Sequence, residues 1–229
     1  MDALPPTAEV IPLVRPAIDA SHWLVSNGWT NGDHQSCEWR KEAVELVGDT
    51  VRLVLAAGRG ATQRPIACAE VQSIARTYGY GSYQVVMKTA AGAGLNSNFF
   101  TYTGPGIDKA SKHNEIDFEF LGKNPRTVQL NWHYNGDSRH ENIIDLGFDA
   151  SQGFHEYRFD WMPDKIRWFV DGKQVAETPA GANLPRDPGK LYFSLWSGSE
   201  KVDGWLGHFA YQRPLAAEVQ SVRYRPLSP

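Results

Sequence analysis

Short segments of alternating apolar and polar residues run along most of the chain, and turn residues separate them. A period of two residues is typical of strands with one buried face. The segments with this pattern are "TVRLVLAAG", "YGSYQVVMKTA", "SNFFTYTG", "NEIDFEFLG", "TVQLNWHYNG", "FHEYRFDWMP", "KIRWFVDGKQVAET", "KLYFSLWSG" and "SVRYRPL". Helical periodicity is scarce, and only "DASQGF" could hold one helical turn. Many short strands with almost no helix predict an all-β fold, an antiparallel sandwich or barrel.

The connections between these segments indicate a single domain. Gly48-Asp49 forms a turn before "TVRLVLAAG", and Asp171-Gly172 lies between apolar flanks, where Asp-Gly is a strong signal for a tight hairpin. The most linker-like stretch, "PAGANLPRDPGK", is short and strands resume directly after it. We therefore expect one domain over residues 1–229, with residues 1–20 as an extended N-terminal segment.

Composition and charge exclude several classes of function. The chain has 229 residues, of which 41% are hydrophobic and 21% charged, with a net charge of -3. It has no basic block of the kind that binds nucleic acid and no apolar run long enough to span a membrane. The N-terminus lacks the features of an intact signal peptide, so either the protein is cytoplasmic or its signal is not in this sequence.

The chain has two cysteines, Cys37 and Cys68. An even count permits one disulfide, but two buried free thiols are an equally good interpretation of the count alone.

The segment "NEIDFEFLG" carries the candidate chemistry. In a strand, Glu115, Asp117 and Glu119 lie on one face, and the three apolar residues between and after them lie on the other. A solvated face usually mixes charges, whereas this row holds three of the same sign. Clustered carboxylates push their pKa values apart, so one can remain ionised while another keeps its proton. The row can thus supply the ionised carboxylate and the protonated carboxyl group that glycoside hydrolysis requires.

Strand geometry does not choose between the two types of glycosidase. The Cα atoms of Glu115 and Glu119 should lie roughly 13 Å apart. Side chains that lean together could reach the separation of about 5–5.5 Å of retaining enzymes or the larger one of inverting enzymes. The alternative use of the row is calcium binding, but a linear row on a rigid strand surrounds a cation poorly.

The motif E-I-D-x-E followed by F-L-G resembles the signature of glycoside hydrolase family 16, on the side of bacterial lichenases (β-1,3-1,4-glucanases) and xyloglucan transglycosylases. The resemblance runs from about Trp23 to Tyr224 and includes "SNGWTNGDHQSCEW", "TYGYGSYQVVMK" and "LWSGSEKVDGWLG". It implies a jelly-roll β-sandwich of two antiparallel sheets with a concave substrate cleft. The chain ends soon after "SVRYRPLSP", without the cysteine-bearing extension of the plant enzymes, which favours the bacterial glucanase type.

The same resemblance implies a role for each member of the row and a set of cleft residues. Glu115 would be the nucleophile, Glu119 the acid/base and Asp117 the assisting residue of a retaining mechanism. It also makes a Cys37–Cys68 disulfide the favoured interpretation. The candidate substrate-binding residues are Asn31, Glu70, Phe100, Tyr102, Asn131, His133, Trp196 and Trp205.

The chain departs from the lichenase pattern around the substrate and not within the catalytic row. His113 and Asn114 stand where lichenases have Trp and Asp, and His133 stands for a Tyr. Gln72 and Ser194 replace an Arg and an Asn, and "SIARTYG" holds an extra residue. Gln220 stands where lichenases have a calcium-binding Asp, which argues against a structural calcium. We expect no cofactor and no metal.

The leading hypothesis is therefore a secreted or periplasmic, monomeric endo-β-glucanase that acts on β-1,3-1,4-glucan or a related exopolysaccharide. Nucleic acid and membrane are not expected as partners. A β-glucan or xyloglucan transglycosylase would have the same catalytic row and would differ in its acceptor. A carbohydrate-binding protein without catalysis is the alternative of another class, but a pure binder has no need of both Glu115 and Glu119.

Overall fold

The structure, a computed structural model, describes residues 9–13, 17–137 and 140–227. The first half of the chain forms nine strands: β1 Glu9–Ile11, β2 Trp23–Val25, β3 Glu38–Trp39, β4 Val44–Val47, β5 Thr50–Ala57, β6 Ile66–Ser73, β7 Gly81–Lys88, β8 Leu95–Thr103 and β9 Asn114–Leu121. Seven more follow: β10 Thr127–His133, β11 Asn142–Asp145, β12 His155–Trp161, β13 Ile166–Val170, β14 Lys173–Glu177, β15 Lys190–Ser197 and β16 Leu215–Pro226.

Within the described residues, helical structure is confined to three short pieces. Two are 3₁₀ helices, Lys41–Ala43 and Glu200–Val202, and the third is the α-helix α1, Asp203–Leu206. The predicted helical turn at "DASQGF" is wrong, because those residues form a hydrogen-bonded turn in which Ser151 bonds to the Asp149 carboxylate. Among the described residues, no helix has the length and apolar character needed to cross a membrane.

Two antiparallel sheets form a β-sandwich, as the family resemblance implies. One has the order β11-β10-β9-β8-β15-β6, with β2 also on β6, and the other has β5-β16-β7-β12-β13-β14, with β1 on β16 and β4 on β5. The sheets are joined where β5 and β6 pair over two residues at one end. The short β3 runs parallel to β6 and is the exception to the antiparallel pairing in the described chain.

The core lies between the two sheets and is rich in aromatic rings. Phe118 and Phe120 on β9 pack against Tyr157 on β12, with ring centroids 5.7 and 4.6 Å apart. Trp168 on β13 donates a hydrogen bond from Nε1 to the Asp117 carbonyl at 3.1 Å. These contacts fix the inner face of β9, so the other face of this strand must point away from the core.

The predicted turns have the backbone that their residues favour. Asp171 and Gly172 have φ of 47° and 77°, the positive values that a two-residue hairpin of type I′ requires. Gly48, with φ of 61°, turns the chain between β4 and β5. Residues 1–8 and 14–16 of the predicted N-terminal segment lie outside the described residues, and Glu9–Ile11 pairs with the end of β16.

Candidate active site

The carboxylate row lies on the outer, concave face of β9. Glu115 and Glu119 are partly exposed, whereas Asp117 between them is buried, and the alternate residues Ile116, Phe118 and Phe120 belong to the core. A cleft of about 800 Å³ opens over this face, and Glu115 and Glu119 line it. The alternation predicted from "NEIDFEFLG" thus places one face in the core and the other under the cleft.

Strand register brings residues from distant parts of the chain to the same face. Directly opposite Glu115 are His133 on β10 and Tyr102 on β8. Phe100 on β8 faces Tyr192 on β15, and the two rings stack with centroids 4.8 Å apart. On the floor of the cleft, polar and aromatic side chains of neighbouring strands therefore lie directly opposite one another.

Glu115 is held by an imidazole. His113 Nε2 lies 2.5 Å from Glu115 Oε2, and the His113 ring stacks on that of His133 with centroids 4.3 Å apart. Burial raises the pKa of Glu115, but the hydrogen bond from His113 and the nearby His133 outweigh burial and hold that pKa below its ordinary value. Glu115 is therefore the group of the row that is suited to remain ionised.

Glu119 and Asp117 have the opposite character. Burial, followed by the charge of Glu115, raises the pKa of Glu119 to about 8. Burial and the charges of Glu115 and Glu119 raise the pKa of Asp117 well above its usual range. Glu119 can thus keep a proton near neutral pH while facing the cleft, and Asp117 is positioned behind the pair and not within reach of the cleft.

Two amides fix the Glu119 carboxylate. Asn96 Nδ2 donates to Oε1 at 3.1 Å, and Gln129 Nε2 donates to Oε2 at 2.8 Å. Gln129 in turn accepts a hydrogen bond on its Oε1 from Trp205 Nε1 at 3.0 Å. Trp205 is thereby connected to the general-acid candidate through one intervening side chain.

The candidate substrate-binding residues divide into two groups. Five of them line the cleft: Asn31, Glu70, Phe100, Tyr102 and Trp196. Three others lie beside it, next to the carboxylate row: Asn131, His133 and Trp205. Asn131 is buried opposite Asp117, and its Nδ2 lies 3.4 Å from His133 Nε2.

Glu70, which also lines the cleft, belongs to a polar cluster with Ser26, Gln72 and Lys190. Burial raises its pKa to about 7, while a hydrogen bond from Ser26 and the nearby Lys190 oppose the rise. Ser26 Oγ donates to Glu70 Oε1 at 2.6 Å, and Lys190 Nζ donates to Gln72 Oε1 at 2.7 Å. This cluster gives one end of the cleft the donors and acceptors that sugar hydroxyls need.

Comparison with known proteins shows the family of this chain. The family model of glycosyl hydrolases family 16 matches residues 31–212. The chain belongs to this family. A beta-glucanase of Paenibacillus macerans is 45% identical over 204 residues, which cover 89% of this chain and 83% of that protein.

Two further relatives support the same assignment. The endo-1,3-1,4-beta-glycanase ExoK of Rhizobium meliloti is 40% identical, with 90% of this chain and 75% of that protein covered. The crystal structure of a prokaryotic beta-1,3-1,4-glucanase (lichenase) from a mouse hindgut metagenome superimposes with a TM-score of 0.89 and 38% identity. That match covers 96% of this chain and 100% of the other. The family 16 chain is thus a glycoside hydrolase with the jelly-roll fold.

The predicted disulfide is confirmed in this family 16 enzyme. Cys37 and Cys68 are bonded, with Cα atoms 5.7 Å apart. Gln35 lies over the bond, with Nε2 3.2 Å from Cys68 Sγ, and its Oε1 accepts a hydrogen bond from the Asn31 backbone at 2.9 Å. The bridge therefore supports the loop that carries Asn31 to the cleft.

Sequence reasoning missed several partners of the carboxylates. No local pattern predicts the contacts of Asn96 and Gln129 with Glu119, because these contacts depend on strand register. His113 was noted as a departure from the lichenase pattern but not as a partner of Glu115. Its position two residues before Glu115 is the signal that could have found it, since residues at i and i+2 share a face.

Proposed function

We propose that this glycoside hydrolase is a retaining endo-β-glucanase that cleaves β-1,3-1,4-glucan or a closely related polysaccharide. The single observation that carries the two roles is the placement of Glu115 and Glu119 on one strand face under the cleft, in opposite electrostatic surroundings. Retention of configuration is what the likeness to family 16 implies. The pKa of Glu115 is lowered by its imidazole partners, and the pKa of Glu119 is raised to about 8. A nucleophile must be ionised and a general acid protonated at the same pH.

In the first step, a Glu115 carboxylate oxygen attacks the anomeric carbon while Glu119 gives its proton to the departing glycosidic oxygen. The products are a glycosyl ester on Glu115 and a shortened glucan with a free hydroxyl. Glu119 is then ionised, takes a proton from water, and the resulting hydroxide displaces Glu115 from the anomeric carbon. Two inversions retain the β configuration, and the double displacement needs no cofactor.

The cleft chemistry supports a sugar polymer as substrate. Sugars present apolar C–H faces that suit flat rings, and Phe100, Tyr102 and Trp196 line the cleft. The relatives named beta-glucanase and endo-1,3-1,4-beta-glycanase favour a mixed-linkage glucan. We also infer that the enzyme acts outside the cytoplasm, because a disulfide favours an oxidising compartment.

The roles are tested with Glu115→Ala, matched with Glu45→Ala on the exposed face of β4. Glu45 forms a surface ion pair with Arg52 far from the carboxylate row, so its loss should leave turnover unchanged. Glu115→Ala should abolish hydrolysis of barley β-glucan with the fold intact by circular dichroism. Activity near that of the parent enzyme would refute the assignment of Glu115.

Stereochemistry and specificity need separate measurements. The first product followed by proton NMR should be the β-anomer, and an initial α-anomer would mean an inverting enzyme. A panel of barley β-glucan, lichenan, laminarin, xyloglucan and succinoglycan, with product masses, tests the substrate. Cleavage of laminarin alone would overturn the mixed-linkage assignment, and products longer than the substrate would indicate transglycosylation.

A further inference from the structure

Two histidines and the nucleophile candidate form a compact triangle at the wall of the cleft. His113 comes just before β9, and His133 at the end of β10 is directly opposite Glu115. One ring nitrogen of each histidine and one Glu115 carboxylate oxygen all lie within 4.8 Å of one another. The shortest of these separations is the 2.5 Å between His113 Nε2 and Glu115 Oε2.

We propose that His113, Glu115 and His133 form a binding site for a divalent transition metal of the zinc and copper class, and that the bound metal blocks hydrolysis. The metal site is inferred from the positions of the three candidate ligand atoms. The blocking effect rests on the proposed function, because it requires Glu115 to be the nucleophile.

The donor set selects the class of metal. Two imidazole nitrogens and one carboxylate oxygen are ligands that zinc takes, with a fourth position left for water. Calcium and magnesium prefer a shell made of oxygens, so they are not expected to bind here. The catalytic row alone is a poor metal site because it is linear, whereas His133 on the next strand turns the line into a triangle.

An ion can enter once the two imidazole rings, which stack with planes 15° apart, turn so that a nitrogen of each points to it. Zinc ligands lie about 2.0–2.2 Å from the metal, so tetrahedral ligand atoms are about 3.3 Å apart. His113 and Glu115 must separate slightly from 2.5 Å, and the remaining ligand atoms must approach from within 4.8 Å. His113 is partly exposed and lines the cleft, so an ion has an open route to the site.

A second carboxyl group lies beside the triangle. Asp117 is buried, and its Oδ2 lies 3.7 Å from the Nε2 of His133. Within the described part of the chain, that oxygen has no hydrogen-bond partner. A cation held by His133 would therefore stand next to a buried oxygen that the protein alone leaves unpaired.

Binding is tested on the intact protein by calorimetric titration with zinc chloride and by the visible absorption of added cobalt(II). We expect one zinc per chain and a tetrahedral cobalt spectrum. His113→Phe and His133→Phe should each weaken zinc binding by at least about tenfold, the loss typical of removing even an outer partner of a metal site. The matched control is His208→Gln, which removes an exposed His–Asp pair remote from the cleft and should change neither signal.

Thermal unfolding and circular dichroism of each variant establish that it is folded. Zinc binding of unchanged affinity in both folded histidine variants, or the absence of binding in the parent protein, would overturn the site. Inhibition is a separate measurement: zinc should slow β-glucan hydrolysis by the parent enzyme, and a chelator should restore it. Stoichiometric zinc binding without inhibition would overturn the blocking effect and count against Glu115 as nucleophile, while leaving the metal site in place.

Discussion

Glu119 receives a hydrogen bond on each carboxylate oxygen, from Asn96 on one neighbouring strand and from Gln129 on the other. Both amides favour the ionised carboxylate, whereas burial and the charge of Glu115 favour the protonated one. Burial and charge have the larger effect, so the pKa of Glu119 is raised to about 8. The amides thus limit the rise in the pKa and fix the position of the carboxyl group, which in the proposed mechanism transfers a proton.

Removing one amide should move the alkaline limb of the pH–rate profile. In Gln129→Leu the ionised form of Glu119 loses a donor, so its pKa should rise further. Activity requires the protonated acid, so the loss of kcat/KM on the alkaline side should begin about one pH unit higher. The control is Gln174→Leu, at an exposed position of β14, which should leave the profile unchanged. A limb that stays in place or moves to lower pH would contradict this role of Gln129.

His113 should control the opposite limb. The His113 hydrogen bond lowers the pKa of Glu115, so in His113→Phe that pKa should rise. The nucleophile must be ionised, and activity is lost as the pH falls through its pKa, so the acid limb of kcat/KM should move to higher pH. His113→Gln keeps a donor and should move the limb back. A uniform loss of activity at every pH, with the limb unmoved, would mean that His113 is only structural.

The residue-level prediction from sequence was good where the signal was local and poor where it depended on register. The alternation of "NEIDFEFLG" was enough to separate Glu115 and Glu119 from the core residues between them. No local pattern says that His133 is opposite Glu115 or that Gln129 reaches Glu119. Those contacts depend on the pairing of β9 with β10, which sequence periodicity does not specify.

Strands differ in how well the alternation reveals them. The longer strands with alternating burial were predicted, and β7, with its strict alternation of buried and partly exposed residues, is an example. The prediction missed the short strands β1 to β4 and β11 and the first six residues of β16. β6 was missed, since all eight of its residues are buried and the polar–apolar alternation of "IACAEVQS" is confined to "AEVQ". This strand lies between β15 and β5 and carries Glu70 and Gln72, so its two faces serve the cleft and the core.

The disulfide stabilises the element that joins the two sheets. Cys68 lies within β6, the strand that pairs with β5 of the other sheet, and Cys37 comes just before β3. The bond closes a loop with a sequence separation of 31 residues. In the chain-entropy model such a loop restricts the unfolded state by about 3–4 kcal/mol.

We therefore expect the double variant Cys37→Ala/Cys68→Ala to lose about 3–4 kcal/mol of unfolding free energy. Denaturant titration monitored by tryptophan fluorescence measures this loss. The control is the parent protein in reducing buffer, which should approach the stability of the variant. Equal stability of the parent under oxidising and reducing conditions would contradict a stabilising bridge.

At the scale of the whole molecule, the fold class could be predicted and the topology could not. Alternation indicates an antiparallel sandwich or barrel, and the likeness to family 16 selects two stacked sheets, but the strand order comes from long-range pairing. β16, the last strand, pairs with both β5 and β7, and β15 lies between β6 and β8. These partners are far apart in sequence, and only the complete packing of the core decides among the possible orders.

We propose that residues 1–229 form one catalytic domain, and this predicts a single cooperative unfolding transition. The aromatic residues of β9 and β12 belong to one core that both sheets share, so neither sheet can lose its partner without exposing apolar surface. Differential scanning calorimetry of the oxidised protein should give one peak, with an unfolding enthalpy of about 160 kcal/mol near 60 °C for a chain of this length. The calorimetric and van't Hoff enthalpies should agree. Two separable peaks, or a van't Hoff enthalpy near half the calorimetric one, would instead mean that the two sheets unfold as independent units.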